Sequence, residues 1–181
     1  MIFKEMNMME IQEVYNNHLV NDFHSDEIKP LAIIEHMYNV GIYRAIGMYN
    51  DDILLAYAFI ANVNEVHFID YYAVCNHANR GKGYGTTFLT YLNDKFDNIL
   101  AEVEDPSFAK NTAQKNTMDK RVEFYVKNKY RITDVKGTVF GVHYKLMCNN
   151  DWSDSQVKKG VDDVYRMMLN EEIYKSQVKW D

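Results

Sequence analysis

The sequence predicts a mixed α/β (α+β) fold, a twisted and mostly antiparallel sheet flanked by helices, with a C-terminal helical extension. Three observations predict it. From Ile42 to Val74, apolar and aromatic residues fall into three stretches separated by Tyr49-Asn50-Asp51-Asp52 and Asn62-Val63-Asn64-Glu65, the pattern of an antiparallel meander. The third stretch runs directly into a glycine-rich basic loop followed by a helical period, giving a strand–loop–helix order. Further on, Ile132 to Phe140 and His143 to Met147 flank Gly141 as a hairpin.

The elements follow in order. Ile2 to Met6 reads as a first strand, after which Met9, Val14, Tyr15, Leu19 and Phe23 recur at roughly helical spacing. Pro30 opens a second helical stretch, with Leu31, Ile34, Met37 and Tyr38 on one side, and Gly41 closes it. After the meander, Phe88, Leu89, Tyr91 and Leu92 give the next helix an apolar face. Ile99-Leu100-Ala101-Glu102-Val103-Glu104-Asp105-Pro106 reads as a strand that Pro106 ends. Ser107 to Thr117 has no period and reads as a loop, and Met118 to Tyr130 as a helix. In the tail, Val157, Val161, Val164, Tyr165, Met168 and Ile173 form a stripe at spacings of three and four, which calls for packing against the chain's own domain or against a second copy. The division expected is one domain over 1–148 and a helical extension over 149–181 packed on it. Either a monomer or a homodimer fits this layout.

With 181 residues, 47% of them hydrophobic, the chain can bury one sizeable core. No run of eighteen uncharged apolar residues occurs and no signal-peptide pattern opens the chain, so no membrane association is expected. Cys75 and Cys148 are isolated thiols rather than a disulfide framework, consistent with a reducing, cytoplasmic location. The net charge of -6 argues against a general nucleic-acid binder and favours small or cationic partners. The six histidines pair with no cysteine or carboxylate at zinc-ligand spacing, so no metal is expected. There is no Gly-x-Ser-x-Gly elbow, and covalent catalysis is disfavoured.

The loop Arg80-Gly81-Lys82-Gly83-Tyr84-Gly85 carries the functional signal. Glycines at alternate positions let main chain approach a ligand, and a helix beginning near Thr86 directs free N–H groups and its positive dipole end at the same place. Arg80 and Lys82 add two cations to an acidic chain, which suits a pyrophosphate. The loop is neither a nucleotide P-loop, since Gly81-Lys82 is followed by Gly83, nor a dinucleotide fingerprint, since Gly85 comes one residue early.

This pattern resembles the acyl-CoA pyrophosphate loop of the GCN5-related N-acetyltransferase (GNAT) superfamily. The segment Arg121 to Tyr130, with Phe124-Tyr125 inside it, is similar to that superfamily's second landmark, a helix carrying Phe-Tyr and closing with Gly-Phe. Lys129-Tyr130 stands where Gly-Phe is usual, and Met118 where many members carry Asn. The resemblance runs from about Ile42 to Met147. It implies a GNAT-like fold, acetyl-CoA as cosubstrate, and donor binding by Ala73, Val74, Arg80, Gly81, Lys82, Gly83, Tyr84, Gly85 and Thr86, with a backbone N–H near Val74 receiving the oxyanion. It also places the first two helices over the acceptor groove.

Acyl transfer to an amine needs an acid for the leaving thiolate and a base for the amine. Tyr125 is the candidate acid, because a phenol near pKa 10 lies about 1.5 units above a thiol. Glu104 and Glu102, two apart on a strand and so on one face, are the candidate bases, with Glu104 ranked first for its place nearer the strand's end. The activity expected is N-acetyl transfer to a small-molecule or protein amine, by direct attack in a ternary complex. A non-catalytic acyl-CoA-binding or regulatory module is the alternative, and a domain binding the phosphates of another nucleotide is a further one.

Overall fold

The structure is a computed structural model and describes residues 1–25, 27–75 and 81–181. Its architecture is mixed α/β, with mostly antiparallel strands flanked by helices. Two compact units can be distinguished, one formed by Met1–Asn62 and Ile69–Asp94, the other by Val63–Phe68 and Lys95–Asp181.

In the first unit the strand order is β1 (Ile2–Glu5), β2 (Tyr43–Asn50), β3 (Ile53–Val63) and β4 (Val66–Val74), the last of which begins in the second unit. β1 pairs antiparallel with β2, and β2 with β3. The β2–β3 turn uses Asp51 at φ 52, a left-handed conformation that Asp and Asn adopt more readily than most residues. The fully buried Tyr57, Phe59, Ile46 and Met48 fill the core.

The stretch expected as one helix after β1 is interrupted. α1 (Met8–Val14) gives way to a π-helical turn, Tyr15–Leu19, before the short α2 (Val20–Asp22). The buried residues are Ile11, Val14 and Leu19. A five-residue step from Val14 to Leu19 overshoots an α-turn, and the wider π-turn returns Leu19 to the core. Met9, counted in the apolar stripe from the sequence, is exposed instead. Pro30 caps α3 (Leu31–Asn39), which buries Ile34 and Met37. α4 (Tyr84–Lys95) buries Phe88, Leu89 and Leu92, and Phe3 of β1 stacks on Tyr91 with ring centres 4.2 Å apart.

In the second unit, β5 (Ile99–Glu104) pairs antiparallel with β7 (Val142–Cys148), β7 with β6 (Arg131–Val139), and β6 with β8 (Val178–Trp180). The segment after β5 is not a continuous loop. A 3-10 turn at Pro106–Phe108 precedes α5 (Thr112–Lys127), which starts six residues before the apolar period does, because Asn111 caps it by accepting the Gln114 N–H. Polar first turns carry no period to read.

α5 ends in a Schellman motif: Tyr130 N–H donates to Tyr125 C=O and Lys129 N–H to Val126 C=O, with Lys129 at φ 71. The tail is two helices rather than one, α6 (Asp154–Met168) and α7 (Glu171–Gln177), followed by β8. Val157, Val161, Val164, Tyr165 and Met168 are buried within this unit as the stripe requires, whereas Ile173 is exposed and its neighbour Tyr174 is buried in its place. Gly160 allows α6 close approach, since a Cβ there would stand 3.0 Å from Val66 and 3.4 Å from Leu100.

Candidate active site

The cradle predicted from the sequence lies in the first unit. Ala73 and Val74 end β4, half-buried, and Gly81, Lys82 and Gly83 form an exposed turn ahead of α4. Arg80, with His77 and Asn79, lies outside the described residues. Gly81 has φ 80 and Gly83 φ 85, a region that side chains rarely enter, and among the described residues no atom lies within 4 Å of a Cβ built on either. These glycines are required by backbone conformation. Thr87 N–H donates to Gly83 C=O at 2.9 Å as α4 begins, so the N–H groups of Tyr84, Gly85 and Thr86 precede the helical ladder. A glycine turn that leads into the first N–H groups of a helix, with no atom of the described residues within 4 Å of where its side chains would begin, fits an anionic ligand such as the pyrophosphate of an acyl-CoA.

Tyr72, which no sequence motif marks, braces this turn. Its hydroxyl donates to Gly85 C=O at 2.5 Å, and its ring stacks on Phe88 with centres 5.6 Å apart. The first turn of α4 is thereby tied to β4.

The first unit also holds a polar cluster that no motif announced. Lys29 Nζ lies 2.8 Å from both carboxylate oxygens of Asp70, and the Tyr43 hydroxyl donates to Asp70 Oδ2. Tyr71 hydroxyl accepts from the Lys29 N–H and donates to Glu27 C=O, each at 2.9 Å. Burial pushes the Tyr71 phenol up to about 12, with the Asp70 charge adding to the shift, so it remains a donor at neutral pH. Cys75 is likewise pushed up to about 12, chiefly by burial, which keeps its thiol protonated at neutral pH.

The candidate acid and bases lie in the second unit. Tyr125 is buried in α5, 6% exposed, with its ring against Phe124 and Tyr130. Burial raises its phenol well above the ordinary value, only partly offset by Arg121, so it is neutral at every physiological pH. Glu104 ends β5 and is paired with Arg121 at 2.8 Å. Glu102 accepts from the Tyr165 hydroxyl on both oxygens, at 2.8 and 2.9 Å. Each carboxylate therefore already has a partner on a helix. Asp105 is buried next to them in sequence. Burial alone would raise it, but Ser107 and Lys145 outweigh that and hold its carboxyl below the usual range. Among the described residues no group of His, Cys, Asp and Glu is arranged to hold a metal ion, and no helix is long and apolar enough to cross a membrane.

No family model matches the sequence, and no curated protein matches it. Solved structures do. The chain is similar, at 18% identity and a TM-score of 0.74 over 89% of its length and 93% of the other's, to a protein named as a GNAT-family acetyltransferase from Bacteroides thetaiotaomicron. It is similar to the ribosomal-protein-S18-alanine N-acetyltransferase of Escherichia coli at 13% identity and a TM-score of 0.60, over 81% and 91% of the two chains. It is also similar to an aminoglycoside 6'-N-acetyltransferase solved with coenzyme A, at 16% identity and a TM-score of 0.57, over 85% and 100%. The strand order, the glycine turn ahead of α4 and these likenesses together show that the chain has the fold of the GNAT acetyltransferases.

Proposed function

We propose that this protein is an acetyl-CoA-dependent N-acetyltransferase that passes an acetyl group to a primary amine by direct attack in a ternary complex. The observation that carries the proposal is the turn at Gly81 and Gly83, both left-handed, with no atom of the described residues within 4 Å of either Cβ position, and leading into the N–H groups of α4. Ala73, Val74, Gly81, Lys82, Gly83, Tyr84, Gly85 and Thr86, with Arg80, would hold the donor, which supplies the activated thioester. Binding energy gained at the remote nucleotide end is then available to position that thioester.

The chain's own residues take the remaining roles. Tyr125 supplies a hydrogen bond to the departing sulfur. Its burial makes full ionisation costly, so it acts as a donor that stays protonated between turnovers. Glu104, ranked ahead of Glu102, receives the amine's proton directly or through water. Deprotonation matters, since an alkylamine near pKa 10.4 is neutral in about one part in a few thousand at pH 7, a penalty of roughly 4 to 5 kcal/mol. The acidic net charge of -6 favours a cationic acceptor, whether small molecule or protein.

The second reading is a non-catalytic acyl-CoA-binding or regulatory module. It is favoured by one observation, that Arg121 and Tyr165 already occupy Glu104 and Glu102. Isothermal titration with acetyl-CoA, followed by thiol release over a panel of primary amines, separates the two. Binding with turnover supports the enzyme, binding without turnover the module, and no binding refutes both.

A further inference from the structure

We infer that Asp70, Tyr43 and Tyr71 form a binding site for a primary alkylammonium group, that Lys29 fills it as an internal ligand, and that a free amine enters by displacing the Lys29 side chain. The site is built as an ammonium receptor. Both oxygens of Asp70 stand 2.8 Å from Lys29 Nζ, the Tyr43 hydroxyl donates to Oδ2 and orients the carboxylate, and the Tyr71 ring centre lies 5.2 Å from the same nitrogen. The Asp70 side chain is 6% exposed and that of Lys29 23%, so solvent reaches the site along the lysine. A carboxylate buried to this degree is costly to leave unpaired, so the site requires a cation at all times and admits only another cation in exchange.

The exchange does not require the backbone to move. Tyr71 holds the main chain of this segment at two points, the Lys29 N–H and the Glu27 C=O, independently of the lysine side chain. Lysine's four-carbon stem can therefore swing out while its backbone stays, and it regains rotamer entropy when it does. Asp70 lies on β4, four residues before Val74, about 13 Å along the strand that enters the glycine cradle. Under the proposed function, on which this last step rests, the amine held at Asp70 is the acceptor, and Lys29 competes with it.

The test begins with direct binding, which needs no acetyl transfer. In Lys29→Ala, n-propylammonium replaces the missing atoms, and its titration at constant ionic strength is expected to raise the melting temperature saturably. Wild type is expected to need about tenfold more amine for the same rise, because Lys29 competes, and the Lys29→Ala variant that also carries Asp70→Asn is expected to show none. Lys29→Met keeps the apolar stem and lacks only the nitrogen, so the ammonium ion is expected to do the same there, which covers the case in which the alanine variant does not fold. Removing the competitor is further expected to lower the amine KM of Lys29→Met by about tenfold, with kcat little changed. A merely structural ion pair would raise KM or leave it alone. Absence of a saturable shift in both folded variants overturns the site. A shift without acetyl transfer in any variant keeps the site and removes the proposed function instead.

Discussion

At the scale of single residues, the geometry assigns conformational and chemical duties that substitutions can separate. Gly83 holds φ 85 with no atom of the described residues within 4 Å of where a side chain would begin, so Gly83→Val strains the turn and fills that space. Isothermal titration is expected to show acetyl-CoA binding lost while the far-UV dichroism is kept. Tyr125 combines a packing duty, as the residue whose carbonyl closes the Schellman motif and whose ring meets Tyr130 at 5.1 Å, with the hydroxyl proposed as donor. Tyr125→Phe preserves the ring and deletes only the hydroxyl. Turnover is expected to fall by roughly 10²-fold with acetyl-CoA affinity largely kept, and wild-type turnover in this variant would exclude the tyrosine as acid. Lys129 shows how a non-glycine residue is accommodated at a helix end, since it adopts the left-handed conformation glycine would take freely. Lys129→Gly is expected to stabilise the chain by about 1 kcal/mol in denaturant unfolding.

At the scale of elements, caps and close contacts decide what hydrophobic period cannot. α5 begins at Thr112 because Asn111 caps it, a start invisible in a segment of Asn, Thr and Lys without apolar repeat. The π-helical turn at Tyr15–Leu19 comes from the five-residue interval between two core positions, and that interval could have been read from the sequence. β8 could not have been. Three residues carry no strand signal, and their position depends on Gly137, where an added Cβ would stand 2.3 Å from the Trp180 ring and 2.5 Å from Lys179 O. Gly137→Ala is expected to dislodge β8 from β6 at a cost of roughly 1–3 kcal/mol, read as faster amide exchange over 178–180.

At the scale of the whole molecule, stability toward acid depends on carboxylates held by partners both adjacent and distant in sequence, as Asp105 is by Ser107 and Lys145. Asp105 is held below its usual range by Ser107 and Lys145, so the native state binds its proton more weakly than the unfolded chain does. Its contribution is therefore complete above the unfolded value, near pH 3.9, and is lost as pH falls below that toward the depressed folded value. Acid titration of Asp105→Asn followed by circular dichroism is expected to show a lower plateau near neutrality and a shallower acid limb than wild type.

The sequence by itself determined the meander, the hairpin, the α6 stripe and the glycine turn, because periodicity and glycine placement are local properties of the chain. It also marked the left-handed turn before α4, since such a turn can be read from glycine placement alone. Only the tertiary structure decided that Tyr72 ties α4 to β4, that Tyr165 and Arg121 occupy the two candidate bases, and that Lys29 pairs with Asp70. Those partners lie 13 to 63 positions apart, and nothing in the spacing of a sequence encodes which buried carboxylate meets which distant hydroxyl or amine.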